Sequence, residues 1–147
     1  MSIAAVLQSI AGQWNIVQYY DAFIPTGHWE SYSTFKPSSL NDLWNLNNTM
    51  GFWLHVTAPS ATLTVYGSIP TTTNISLKAG WNMVSYPSMS NTTTVSDAFW
   101  GTGADIVEVY DAIDPYRTKE VGPTYIMKPG EGYWVHVPAD CVWTVNY

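Results

Sequence analysis

Apolar and polar residues alternate along Gly132-Tyr133-Trp134-Val135-His136-Val137, and the same order of residue classes stands earlier as Gly51-Phe52-Trp53-Leu54-His55-Val56. A period of two belongs to a strand with one buried face. Tyr133, Val135 and Val137 are therefore expected on one side, and Trp134 and His136 on the other. Each stretch runs into a turn, Thr57-Ala58-Pro59-Ser60 in the first and Pro138-Ala139-Asp140 in the second, and then into another alternating stretch. The pattern predicts a β-hairpin in each place. Ala61, Leu63 and Val65 match Cys141, Trp143 and Val145, and all six are expected to face inward, because register decides which side chains are buried.

Other segments recur in the same order. Ile3, Val6, Leu7 and Ile10 have helical spacing behind Ser2, which predicts one short amphipathic helix over residues 2–10, ended by Gly12. A strand is expected at Ile16-Val17-Gln18-Tyr19-Tyr20, leading into Asp21-Ala22. Later, Thr94 caps a helical turn at Val95-Ser96-Asp97-Ala98-Phe99, with Asp97 placed as a capping-box acid. A strand at Ile106-Val107-Glu108-Val109-Tyr110 then leads into Asp111-Ala112, and the two Tyr-Asp-Ala triplets are 90 positions apart.

Elsewhere the copies differ. Residues 23–50 form a longer, aromatic loop than residues 113–131. The latter hold an expected strand at Thr124-Tyr125-Ile126-Met127 and a tight turn at Lys128-Pro129-Gly130-Glu131-Gly132. Residues 68–76 read as a Thr-rich link. After it, Leu77 to Pro87 form an opening strand that the first copy lacks. The fold class expected is mainly β: two pseudo-repeated antiparallel β lobes, each with one short helix. The first, N-terminally incomplete lobe covers 1–67, the linker 68–76, and the complete second lobe 77–147. Trp53 and Trp134 should occupy equivalent places, and the lobes should pack through an internal pseudo-twofold. The edge left by the missing strand should be covered by another segment or a neighbouring chain, since open edges invite unwanted pairing. The incomplete first copy also reads as one cut from a longer protein built of such modules.

Gly80-Trp81-Asn82-Met83-Val84-Ser85-Tyr86-Pro87, Val95-Ser96-Asp97-Ala98, Val109-Tyr110-Asp111-Ala112, Met127-Lys128-Pro129-Gly130-Glu131-Gly132-Tyr133-Trp134-Val135 and Thr144-Val145 together resemble a known module. It recurs, often in tandem, near the C-termini of secreted and cell-surface proteins of archaea and some bacteria. The resemblance covers the second copy nearly end to end. In the first it covers the helix, the Tyr-Asp-Ala strand and the hairpin, with Thr49-Met50-Gly51 in place of the Pro-Gly-x-Gly turn. It implies a surface-exposed accessory or structural unit with no catalytic residue.

Composition narrows the function classes. Charged residues make up 11% and aromatics 15% of 147 residues, an extracellular, β-rich balance. Five Lys and Arg and a net charge of −6 argue against nucleic acid, whose phosphates call for clustered cations. No apolar run approaches the roughly 18 residues of a membrane span. An export signal, if the parent is secreted, is expected outside this chain, since the first residues lack a basic region and a long apolar core. The lone Cys141 matches Ala61 and reads as a small buried apolar group.

Candidate chemistry is sparse. His55 and His136 sit at equivalent strand positions and read as solvated-face residues, and His28 as a loop residue. No cluster with metal-ligand spacing is present, so neither a metal nor a cofactor is expected. Asp21 and Asp111 form a duplicated pair, but aspartates at strand ends more simply tie a turn to its own backbone. Without a G-x-S-x-G elbow or a glycine-rich cradle, no catalytic residue is expected and the chain is read as a non-enzyme.

The first reading is a structural, anchoring or assembly module of a secreted or cell-surface protein. Its partners would be other modules of the same parent or neighbouring subunits. The alternative is a carbohydrate-binding module with Trp29, Tyr32, Trp44 and Tyr116 as the ligand platform, because sugars stack their apolar faces on aromatic rings. Three sequons, at Asn47, Asn74 and Asn91, fall in expected loops as candidate glycosylation sites.

Overall fold

The computed structural model describes residues 1–114 and 116–147. The protein is mainly β: nine strands form three antiparallel sheets, and only two short α-helices are present among the described residues.

Strands β1 (Trp14–Tyr20), β2 (Trp29–Ser33) and β3 (Trp53–Val56) make a three-stranded sheet in the order β2-β1-β3. The helix expected over residues 2–10 forms in two pieces, α1 (Ile3–Val6) and a 3-10 turn (Gln8–Ile10). The break changes little in burial, because Ile3, Leu7 and Ile10 all enter one core with Val17, Leu43 and Leu46. Gly12 then turns the chain at φ 77°, a backbone region that L side chains rarely adopt.

The segment 23–50 is not simply an aromatic loop. Its Trp29–Ser33 stretch alternates and pairs with β1 from Ile16↔Ser33 to Tyr20↔Trp29.

The second half is a two-layer sandwich. Strands β4 (Thr72–Leu77) and β9 (Cys141–Asn146) pair over six positions in one layer. In the other, β5 (Gly80–Ser85), β6 (Ile106–Tyr110), β7 (Thr118–Glu120) and β8 (Gly132–Val137) run in the order β5-β8-β6-β7. Ile75, Leu77, Trp143 and Val145 from the first layer meet Val107, Val109, Tyr133, Val135 and Val137 from the second. Each such side chain contributes roughly 1.5–3 kcal/mol on burial. Helix α2 (Val95–Ala98) closes one end: Trp143 lies 4.3 Å from the Phe99 ring, and its indole N–H donates to the Ala98 carbonyl at 2.6 Å.

Several expectations need correction. Strands β8 and β9 are adjacent in sequence but do not pair; residues 138–140 form a corner that carries the chain from one layer to the other. The expected link, residues 68–76, holds all of β4 but Leu77, and the expected opening strand from Leu77 is divided at 78–79: Leu77 ends β4, where it and Ile75 enter the core, and β5 starts at Gly80. Residues 124–127 are not a strand; Ile126 makes one isolated bridge to Thr94, and β7 is the strand of that region. The second strand of the first hairpin does not form either. Residues 57–71 are irregular, and Leu63 and Val65 are 39% and 52% exposed where burial was expected, with Ala61 exposed as well. Without a counterpart of β4 to pair with, alternation alone does not hold this segment in a sheet.

Matching contacts recur in the two halves. Ser2 and Thr94 cap four-residue helices through Ala5 N–H and Asp97 N–H. Ser2 bridges Asn45 as Thr94 bridges Ile126. Leu46 N–H donates to the Met1 carbonyl at 2.8 Å, and Met127 N–H to the Thr93 carbonyl at 2.9 Å. Asp21 and Asp111 each accept from the backbone N–H two residues on, at 2.8 and 3.1 Å, the turn-tying role expected of them.

The halves join where residues 49–51 meet the free side of β5. Met50 bridges Val84, the Thr49 carbonyl accepts from Ser85 N–H at 3.1 Å, and the Ser85 hydroxyl donates to the Asn48 carbonyl. The outer edge of β3 pairs with no strand among the described residues, so none of these supplies the cover expected there.

Candidate aromatic groove between the halves

Alternation in β8 sends Tyr133, Val135 and Val137 into the core and leaves Trp134 and His136 on the outer face, as read from the sequence. Around Trp134 gather rings from three other strands. Tyr20 of β1 stands 5.0 Å away, Trp29 of β2 5.8 Å and Trp81 of β5 6.3 Å between centroids. Tyr20 and Trp29 are cross-strand register partners, and their rings meet edge to face at 5.5 Å. Nearby, Trp53 of β3 meets Tyr110 of β6 at 5.6 Å, also edge to face. Tilted and edge-to-face contacts suit the ring quadrupole and are worth about 0.5–1.5 kcal/mol each beyond burial.

Tyr20, Trp29, Trp53, Trp81 and Trp134 wall a groove of about 440 Å³, lined further by Glu108, Thr118 and Tyr116. That volume lies within the roughly 300–1,000 Å³ typical of small-molecule sites. The polar groups come from neighbouring strands: the Thr118 hydroxyl of β7 donates to the Glu108 carboxylate of β6. Trp29 is 46% exposed and Tyr116 94% exposed. Such a surface can stack an apolar ligand face on indole and phenol rings while a carboxylate accepts from hydroxyl donors.

Of the four platform residues expected from sequence, the fold brings Trp29 and Tyr116 to this groove. It places Tyr32 and Trp44 elsewhere. Tyr32 lies on the opposite face of β2 from Trp29 by strand alternation, against the first core, with Trp44 at 5.7 Å and Trp14 at 6.0 Å. Sequence reasoning passed over Tyr20, Trp53, Trp81, Trp134, Glu108 and Thr118 as site residues. The available signal was the outward parity of Trp53 and Trp134 and the tyrosine before each Asp-Ala.

The three histidines do not converge. His55 Nδ1 lies 2.6 Å from Asn15 Oδ1, and His136 Nδ1 lies 2.6 Å from Asp105 Oδ1. The contact with His136 holds the Asp105 carboxyl below its ordinary range. His28 Nδ1 sits 3.0 Å from the Asp21 carbonyl, and its ring stacks on Tyr20 at 4.8 Å.

Below the groove, the turn before β8 is locked from inside. Tyr133 donates to Glu131 at 2.7 Å and accepts from Lys128 N–H at 2.9 Å, while Tyr125 also reaches Glu131 at 3.0 Å. Burial, the largest influence, pushes the Tyr133 phenol far above its usual range. On the other half, burial and the neighbouring Asp21 and Glu30 push Tyr19 up to about 12. Cys141 is half-buried against the second core, and burial followed by the Asp140 charge raises its thiol.

The sequons are exposed. Asn47 accepts from the Thr49 N–H at 2.8 Å and from the Thr49 hydroxyl at 2.6 Å, closing a turn. Asn91 lies in an irregular segment. Asn74 is in β4 and not in a loop, where it accepts from Thr144 of β9 at 2.9 Å. No helix among the described residues is long and apolar enough to cross a membrane. No protein-family model, curated protein or solved structure matches this chain.

Proposed function

We propose that this chain is a non-catalytic module of a secreted or cell-surface protein, a duplicated β unit that spaces, anchors or assembles a larger molecule. The observation that carries this reading is reciprocity across the junction. Tyr20 of the first half packs on Trp134 of the second, and Tyr110 of the second packs on Trp53 of the first. Contacts of i with j and of j with i are what a twofold interface between like units makes, and they support a duplicated unit within one polypeptide. Tyr20, Trp29, Trp53, Tyr110 and Trp134 thereby clasp the halves. The acidic charge and the module resemblance agree with a surface setting, with other modules or subunits as partners and no nucleic acid. The test is labelling of the parent protein on intact producing cells with an antibody raised against this chain. Surface signal removed by added protease supports the reading, and signal appearing only after lysis overturns it.

A second reading is favoured by one observation: Trp29 and Tyr116 stand exposed beside Glu108 in the groove. As a carbohydrate-binding module, the chain would stack a pyranose on these rings. Glycan-array binding lost in Trp29→Ala and kept in Trp44→Ala supports this reading. Binding unchanged in Trp29→Ala removes it.

A further inference from the structure

The two halves treat one piece of architecture differently. In the second half, residues 72–85 form an arm of two strands with a corner between them. Its first strand, β4, pairs with β9 from Thr72↔Asn146 to Leu77↔Cys141, and its second, β5, pairs with β8 from Gly80↔Val137 to Ser85↔Gly132. The corner is held by Asn82, whose amide donates to the Lys78 carbonyl at 2.8 Å and accepts from Lys78 N–H at 2.8 Å.

The first half has the surfaces that such an arm would join. The strand matching β8 is β3, whose outer edge pairs with no strand among the described residues. The segment matching β9 is 61–66, which keeps the alternation of β9 but is unpaired, with Leu63, Val65 and Tyr66 39%, 52% and 86% exposed. One contact ties it to the first half: Thr64 N–H donates to Ser9 Oγ in the turn after α1 at 2.8 Å.

We propose that the first half is an acceptor for a strand–corner–strand arm carried by a partner polypeptide, and that this arm has the pattern of residues 71–87 of this chain. The inference rests on the duplicated-module reading above. The occupant is identified by the chain's own second half: apolar residues two apart in the first strand, as Ile75 and Leu77 are, then a two-residue corner, then a second strand that opens on glycine, carries the asparagine that holds the corner and has one inward apolar residue. Main-chain hydrogen bonds to β3 and to residues 61–66 supply affinity, and the alternate side chains supply register. Leu63 and Val65 then gain the cover that Trp143 and Val145 already have.

The probe is a synthetic peptide of residues 71–87 with blocked ends, added to the intact chain, with a scrambled peptide beside it. The expected result is saturable one-to-one binding, with amides of residues 53–56 and 61–66 exchanging hydrogen at least about tenfold more slowly. The double variant Leu63→Lys, Val65→Lys changes only exposed side chains and should keep the fold while losing the binding. No binding, equal binding of the scrambled peptide, or protection confined to β8 and β9 overturns the proposal. Self-association that protects residues 53–56 without peptide also overturns it. Amide exchange across residues 20 and 134 in the same samples reports separately on the clasp, so its collapse would count against the module reading and not against the acceptor alone.

Discussion

Gly132 stands against Gly51: a Cβ built on Gly132 would lie 3.4 Å from the Gly51 Cα. These glycines hold the same position in the two Gly-aromatic-Trp stretches, and they touch where the halves cross. The space is unequal, however. A Cβ on Gly51 would run into the Val84 backbone carbonyl, whereas one on Gly132 meets ordinary contacts. Gly51→Ala is therefore expected to destabilise the protein by about 1–3 kcal/mol, as overpacking against rigid backbone does. Gly132→Ala should cost much less. Urea unfolding of the two variants checks the order, and equal losses would refute it.

Trp134 and Trp53 are matched in position and unequal in load. Trp134 meets Tyr20, Trp29 and Trp81, while Trp53 meets one ring among the described residues, that of Tyr110. Trp134→Ala should be the more destabilising of the two. Double-mutant cycles should give a coupling of about 0.5–1.5 kcal/mol for Tyr20 with Trp134 and a similar value for Trp53 with Tyr110. Coupling near zero in both cycles would remove the clasp.

Asp140 makes the two layer-crossing corners sensitive to acid. Its carboxylate accepts from the Lys78 ammonium at 2.6 Å and from Ala79 N–H at 2.8 Å, and these contacts hold the carboxyl below its ordinary 3.8. A depressed acid stabilises the fold above its unfolded value and loses that contribution as pH falls through the folded one. The pair is exposed, so the effect is small and weakens in salt. Asp140→Asn should narrow the gap between urea midpoints taken at about pH 6 and about pH 3. Glu30, raised first by burial and then by Asp21 and Asp42, runs the opposite way, which makes the variant comparison the informative one. A gap unchanged by the substitution would refute the assignment.

Thr94 both accepts from Asp97 N–H at 3.2 Å and donates to the Asp97 carboxylate at 2.7 Å. Thr94→Ala should cost about 1 kcal/mol, and Thr94→Ser should cost little, because the cap needs only the hydroxyl. Thermal unfolding of the pair tests this, and equal losses would point to the methyl group instead.

What the sequence displayed was local. The parity of residues 132–137, the caps at Ser2 and Thr94, and the Asp21 and Asp111 turns follow from neighbours within a few positions. What it concealed depended on partners far along the chain. Only two of six residues in β4 are large and apolar, so it resembled a link until β9, some 70 positions later, gave it a ladder. Residues 138–140 looked like a hairpin loop because adjacent strands usually pair. There the link between Asp140 and the Lys78 corner instead accompanies a change of layer. The groove was half visible: Trp29 and Tyr116 stood out by residue type. Trp81 and Trp134 were assigned to strands, and Glu108 became a groove residue only once β7 lay beside β6.

The unpaired stretch at 61–66 also bears on how the protein reaches its native state. It ends a short loop upstream of β4 and offers the same alternation as β9, which lies far downstream. Contacts close in sequence form sooner than distant ones, so β4 should first zip onto the wrong neighbour and then have to be released. Refolding is expected to show a slow phase from that exchange, and Leu63→Lys with Val65→Lys, by weakening the decoy, should shorten it.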